Sequence, residues 1–369
     1  MRQKIAFIIS ILFISSFTVF AQKLPPPPPP LPIQSDEEIK IESRLVVIPV
    51  AVTDSNGQVV TGLTANDFRV LEENKKQEIA EVGDAEKVPL EIALLFDVSA
   101  STDAMFRFQQ ETAAKFLKDV MRADDRATVF TIGEDGLVVQ SRGSAEQSVV
   151  AVKSIKPTKQ QTAFYDSITV AAQHLQKNTP EGRRKVVVVI SDGEDTNSKG
   201  VLKAIWDAER KIMSNDVTGE KLRTLRIKAR DDAKTAEQGK VLKSLQNADT
   251  VFYSINPAGS SYKLNKMSVF GQSNMEKFAG ETGGTAFLPK FLPIDTISGY
   301  ENTTNLRKNT EMLEAIFRQL TNELQAQYLV QYYSDSDYPT GRYVKINVGV
   351  ANRPNIKIRA REGYFVKGN

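Results

Sequence analysis

Leu90-Glu91-Ile92-Ala93-Leu94-Leu95-Phe96-Asp97-Val98-Ser99-Ala100-Ser101 is the stretch whose reading decides the fold. Residues 90–96 form a short, nearly continuous apolar run, the pattern of a central parallel strand buried on both faces. A strand of that kind needs helices on either side of its sheet. The polar residues that follow at once, from Asp97 to Ser101, therefore fall at a strand's carboxyl end, where open α/β sheets place their ligand sites.

Outward from this strand the hydrophobic period alternates. Met105, Phe108, Thr112, Phe116 and Val120 recur at helical spacing. Residues 127–132 and 137–140 read as strands, and the turn at 133–136 makes them a hairpin. Residues 164–176 form a helix, 185–190 the most apolar strand, and 250–255 another. Residues 275–279 open a helix ended by Gly283-Gly284, and 286–288 are a last strand. Met312, Leu313, Ile316, Phe317, Leu320 and Leu324 mark a final amphipathic helix. This rhythm predicts an α/β fold over 89–325: a doubly wound, mostly parallel Rossmann-type sheet with helices on both faces. The charged stretch 207–247 is too long for one crossover helix and is expected to form a helical insertion broken near 215–219. Its basic cluster Lys221, Arg223, Arg226, Lys228 and Arg230 could face an acidic partner, but a solvated helix face is the favoured reading.

The flanks alternate with period two. Residues 45–53, 68–71 and 77–79 lie on one side, 328–333, Val344-x-Ile346-x-Val348 and Ile356-x-Ile358-x-Ala360 on the other. Neither set has enough strands for a stable sheet, so 43–88 and 326–369 are predicted to combine into one small β-sandwich. Upstream, Arg2 and Lys4 precede a mostly apolar run over 5–20 that ends in Val19-Phe20-Ala21, the form of an export signal cleaved after residue 21. Residues 22–42 hold an unbroken proline run from Pro25 to Pro30, an extended spacer. The expectation is an exported chain, periplasmic or extracellular, with no transmembrane segment once mature.

Composition excludes several functions. Forty-eight Lys and Arg against forty-five Asp and Glu leave a net charge of +3, with no general field to attract nucleic acid. The absence of cysteine removes disulfides and thiolate chemistry. The single histidine, His174, falls beside the apolar stripe Phe164, Ile168, Ala171 and Leu175 and is expected at the surface, which leaves no Ser-His-Asp triad and no His-rich zinc site.

Three features converge on strand ends: Asp97-x-Ser99-x-Ser101, Ser191-Asp192-Gly193-Glu194-Asp195 after the 185–190 strand, and Thr162 before the 164–176 helix. Each alone has a bland reading as a helix cap or a turn. Together they suit a hard cation such as Mg²⁺, which takes an octahedron of oxygens and few carboxylates. Asp97 and Asp192 balance its charge, Ser99, Ser101 and Thr162 supply neutral oxygens, and a partner's carboxylate is the natural remaining ligand. Asp166, Glu194 and Asp195 are nearby acids placed around that shell. A metal-assisted phosphoesterase is the competing reading, weakened because no histidine or lysine stands next to the shell and no phosphate-cradling glycine loop follows a strand. A metal-free scaffold is a third. Dinucleotide binding is disfavoured, since the first strand runs into Asp-Val-Ser-Ala-Ser rather than a Gly-x-Gly turn.

These residues, in this order, resemble the metal-ion-dependent adhesion site of von Willebrand factor A domains. The wider chain is similar to a secreted bacterial family related to them, through Gly62-Leu63 with Asp67-Phe68, Thr162-Ala163-Phe164-Tyr165-Asp166, Gly182-Arg183-Arg184, Thr282-Gly283-Gly284 and Arg361-Glu362-Gly363-Tyr364. The resemblance implies a non-enzymatic, adhesion-type protein-binding module using Mg²⁺, or Mn²⁺ or Ca²⁺ in its place. Ala100, Gln160 and Gln161 stand where that family often has glycine.

Overall fold

A computed structural model describes residues 43–99, 103–158, 161–213, 218–256, 266–294, 296–351 and 353–368. The export signal, the proline-rich linker and Ser101 lie outside the described residues.

Among the described residues the first four strands are β1 (Arg44–Asp54), β2 (Phe68–Glu72), β3 (Lys75–Gln77) and β4 (Ile79–Asp84). The α/β part follows with β5 (Leu90–Asp97), α1 (Asp103–Val120), β6 (Arg126–Ile132), β7 (Leu137–Gly143), α2 (Ala145–Ser154), α3 (Phe164–Asn178) and β8 (Arg184–Ile190). It continues through α4 (Lys199–Met213), α5 (Gly219–Asn247), β9 (Thr250–Ile255), α6 (Lys266–Thr282), β10 (Ala286–Phe287) and α7 (Gly299–Gln325). Four strands close it: β11 (Tyr328–Ser334), β12 (Tyr343–Val350), β13 (Ile356–Ala360) and β14 (Gly363–Phe365).

The six-stranded sheet has the order β10-β9-β8-β5-β6-β7, parallel except for the antiparallel β6–β7 hairpin. All eight residues of β5 are buried, as its apolar run requires of a central strand. Alternate β5 side chains feed two cores. Ile92, Leu94 and Phe96 pack with α1, α2 and α7 on one face, while Ala93 and Leu95 pack with α3, α5 and α6 on the other.

The flanking strands form two antiparallel sheets, β13-β1-β11-β4 and β14-β12-β2-β3, around a shared core that includes Ile48, Val50, Val70, Val330, Tyr332 and Val344. In the first sheet β1 lies between two strands from the other end of the chain, pairing Val47 with Gln331 and Val52 with Ile358. Glu72, 1% exposed, joins the sheets by accepting hydrogen bonds from Tyr332 Oη (2.9 Å), Ser334 Oγ (2.9 Å) and Tyr364 Oη (2.7 Å).

Three elements depart from the sequence reading. Helix α2 was not anticipated, although Ser144 and Gln147 build a full capping box at its start. Helix α6 begins at residue 266, well before the expected opening at 275, and α7 begins at residue 299. The insertion is an antiparallel pair of helices, α4 and α5, separated by residues 214–218.

Candidate functional site

The carboxyl ends of β5 and β8 lie side by side because the strands pair directly, with Phe96 opposite Ile190. The residues immediately after each strand are therefore neighbours in space. Asp97 Oδ1 accepts hydrogen bonds from Ser99 N (2.9 Å) and Ser99 Oγ (2.6 Å), a tight turn that draws the serine back over the strand end. Its other oxygen, Oδ2, accepts from Ser191 Oγ at 2.6 Å, and Ser191 Oγ in turn accepts from Gly193 N at 3.0 Å. Asp192 Oδ1 accepts from Glu194 N at 3.0 Å.

Backbone packing holds the Asp192 loop in place. Gly193 has φ of +76°, and a Cβ there would lie 2.5 Å from Gly271 O on α6, so two glycines let the loop and helix touch main chain to main chain. Next to this contact Ser268 Oγ, near the start of α6, donates to Glu194 Oε1.

Thr162, 7% exposed, reaches the same rim through its backbone. Its N–H donates to Thr196 Oγ1 (2.9 Å), and its carbonyl accepts from Thr196 N (2.9 Å) and Asn197 N (3.0 Å), in the loop that carries Asp192. Ala163 N donates to Gly133 O beyond β6, and Thr158 N donates to Val98 O beyond β5, so Thr158, Thr162 and Ala163 are tied to the ends of three neighbouring strands. Thr162 does not cap α3: residue 163 holds the capping position, and the early amides of the helix find other partners. Tyr165 N donates to Asp195 Oδ2 (3.1 Å) and Asp166 N to Ser198 Oγ (3.2 Å). Asp166 Oδ2 accepts from Lys199 N at 2.9 Å.

The acids anticipated around the shell thus divide by role. Asp195, 3% exposed, is a structural clamp that also accepts from Ser198 N and Ser198 Oγ. Glu194 is tied to α6, and Asp166 caps α4. Ser191 belongs to the motif read from the sequence, but its bond to Asp97 was not foreseen, and Ser198 was not singled out, since serine is too common to be noticed without its partners. Lys234 of α5, 6% exposed, has its Nζ over the Phe270 ring and feels the charges of Asp195 and Glu194, while burial lowers its pKa. One expectation needs correction. His174 is half-buried against β6, its ring edge-on to Phe130 at 5.4 Å between centroids. Its position one residue before Leu175 of the stripe leaves it leaning onto the sheet.

Burial pushes the Asp97 carboxyl up from its ordinary range, against the pull of the Ser191 and Ser99 hydrogen bonds. Burial, then the nearby charge of Asp97, raises Asp192 to about 6. The hydrogen-bond partners of both are hydroxyls and backbone amides, which solvate a carboxylate without neutralising it. Two half-solvated carboxylates at adjoining strand ends, with Ser99 and the Thr162 segment beside them, suit a divalent cation as the missing counter-charge. On that fit Asp97, Ser99, Thr162 and Asp192 are the residues that would hold it, together with Ser101 from outside the described residues. The ion would supply a positive centre able to take an oxygen ligand from elsewhere.

An open α/β sheet with polar side chains gathered at the carboxyl ends of its two central strands is the doubly wound architecture, which places ligand sites at such ends. The model for the von Willebrand factor type A domain matches residues 92–194, and this chain carries such a domain. Similar solved structures include an aerotolerance-related membrane protein from Bacteroides fragilis, 14% identical over 61% of this chain and 99% of that one, with TM-score 0.33. The PilB minor pilin from Streptococcus sanguinis is 14% identical over 66% of this chain and 63% of the pilin, with TM-score 0.40. Proximal thread matrix protein 1 from the mussel byssus, with a zinc-occupied MIDAS motif, is 12% identical over 69% of this chain and 50% of that one, with TM-score 0.38. No curated protein matches the chain.

Proposed function

We propose that the chain is an exported, non-enzymatic binding protein that holds a divalent cation, Mg²⁺ or a substitute such as Mn²⁺ or Ca²⁺. Asp97, Ser99, Ser101, Thr162 and Asp192 are its ligands, directly or through water, and it captures an acidic side chain of a protein partner. The observation that carries this reading is the 2.6 Å bond from Ser191 to Asp97, which locks the Asp97-x-Ser99 turn against the Asp192 loop. Two carboxylates cancel the charge of a +2 ion and leave it electrophilic, so an incoming carboxylate completes the shell. The von Willebrand factor type A match over the same residues supports it, and no helix among the described residues is long and apolar enough to cross a membrane.

The test is calorimetric titration of wild type and Asp97→Ala with Mg²⁺ and Mn²⁺, followed by a pull-down from the exported fraction with metal or with chelator. Saturable metal binding confined to wild type, and a partner released by chelator, are the expected results. Equal metal uptake by both proteins would sink the proposal.

A further inference from the structure

The α4–α5 hairpin stands on the face of the domain away from α1 and α7, and its surface is unlike the rest of the chain. Residues 199–230 carry nine Lys and Arg against four Asp and Glu, a net charge of +5 where the whole chain carries +3. Three large apolar side chains stand out from it: Trp206 at 69% exposure, Met213 at 74% and Ile227 at 41%. Trp206 is the only tryptophan in the chain.

Helical geometry puts these residues on one face. Lys199, Lys203, Trp206, Arg210 and Met213 follow a three-four spacing along the outer side of α4, opposite its buried Val201 and Ile212. Glu209, one turn from both Trp206 and Met213, pairs with Arg226 of α5 at 2.7 Å. Arg226 lies one turn from Arg223 and Arg230, and these three line a shallow groove with Leu222 and Ile227. The bridge therefore joins the apolar outer stripe of α4 to the arginine groove of α5. Among the described residues Lys221, Arg223 and Arg230 make no ion pair, so their charge is uncompensated.

We propose that this face docks on an anionic lipid surface. Singly projecting Trp, Met and Ile side chains among arginines and lysines are what an interfacial helix presents to the headgroup layer, the apolar tips entering it and the cations meeting lipid phosphates. An acidic polypeptide would use the cations but leave the protruding indole without an apolar medium. The proposal is independent of the cation site, which uses none of these residues.

The test is vesicle flotation of the chain from residue 22 onward, with phosphatidylglycerol-containing vesicles against phosphatidylcholine alone, following Trp206 emission in the same samples. Binding to the anionic vesicles, a blue shift of the emission, and loss of both near 0.5 M salt, where screening acts within about 4 Å, are expected. Arg223→Glu with Arg230→Glu lowers partitioning by roughly 25-fold or more, at about fivefold per basic residue, while melting temperature and metal binding stay at wild-type values. Failure to bind anionic vesicles, binding with unshifted Trp206 emission, or undiminished binding by the double variant each overturns the proposal. Capture by polyglutamate in place of vesicles overturns it in favour of an acidic protein partner.

Discussion

Ser191 donates a 2.6 Å hydrogen bond to Asp97 across the ends of two paired parallel strands, and this one contact sets the relative position of both halves of the candidate site. If Ser191 orients Asp97 rather than contacting the ion, Ser191→Ala keeps every ligand but loosens one of them. Its expected effect is a 10- to 100-fold loss of metal affinity, the usual size of a supporting-partner loss, with an intact fold. Asp97→Ala is expected to remove binding altogether. Calorimetric titration of both variants separates the two roles, and an unchanged affinity in Ser191→Ala refutes the positioning argument.

Asp192 and Asp97 repel each other in a buried setting, so a neutral side chain at residue 192 has opposite effects with and without metal. Asp192→Asn retains an Oδ1 acceptor for Glu194 N while removing one of the two charges. A carboxyl raised to about 6 opposes folding above that pH, and the penalty fades as pH falls through it toward the unfolded value of 3.8. At pH 7 without metal, Asp192→Asn is expected to be more stable than wild type by about 1–2 kcal/mol. With saturating Mg²⁺ the order reverses. Thermal melts at pH 5 and pH 7, with and without metal, check it, and a metal-free variant less stable than wild type at pH 7 contradicts it.

Asp195 holds α3 to the loop after β8 from below, accepting from Tyr165 N and from Ser198. Asp195→Ala strands the Tyr165 amide and the Ser198 hydroxyl in a buried place, an expected cost of about 2 kcal/mol. The same loss frees the segment carrying Thr162, so metal affinity falls as well. Denaturant melts and titration must both move, and a change in stability alone would detach Thr162 from the site.

How much of this could be read from the sequence depends on what holds each element. β5, β8 and β9 are apolar because both their faces are covered, and that composition is visible in the chain. Helix α2 lacks a continuous stripe, with Val150 at 68% exposure, so its periodicity is faint and only its cap marks it. The first turns of α7 are secured by polar side chains instead of an apolar face. Asn309, fully buried, bonds both Leu292 N and Leu292 O at 2.8 Å, and Asn305 donates to Pro293 O at 2.7 Å. Such side-chain to backbone clamps have no sequence period. The candidate Asp97 and Asp192 loops were legible because they follow strands directly. The bond from Ser191 to Asp97 was not, because it joins residues distant in the chain.

The two terminal strand sets depend on each other for a core. β1 hydrogen-bonds only to β11 and β13 among the named strands, and β2 lies between β3 and β12. Residues 43–88 expressed alone are therefore expected to show no cooperative melt. In the whole chain Glu72→Ala leaves the hydroxyls of Tyr332, Ser334 and Tyr364 without their shared acceptor, at a cost of about 3 kcal/mol. Circular dichroism melts of the fragment and the variant test both statements, and a cooperative fragment would show that the sandwich is not a joint structure.

His174 reports on the packing of α3 against β6 by itself, since no other histidine contributes a signal. Its ring lies edge-on to Phe130, with Nε2 3.5 Å from Thr128 Oγ1 and Nδ1 3.2 Å from Asn178 Nδ2. Burial lowers its pKa below the ordinary 6.5, and the charge of Glu91 only partly restores it. For a base whose folded-state value is depressed, the unfolded chain takes up the proton first. Stability from this group is therefore whole above pH 6.5 and is lost as the pH falls from there through the folded-state value. The ring resonances in a proton NMR titration are expected to move with a midpoint below 6.5, and His174→Gln is expected to flatten the acid side of the stability profile. A midpoint at or above 6.5 would mean that the ring stands free in solvent and that α3 does not press it onto the sheet.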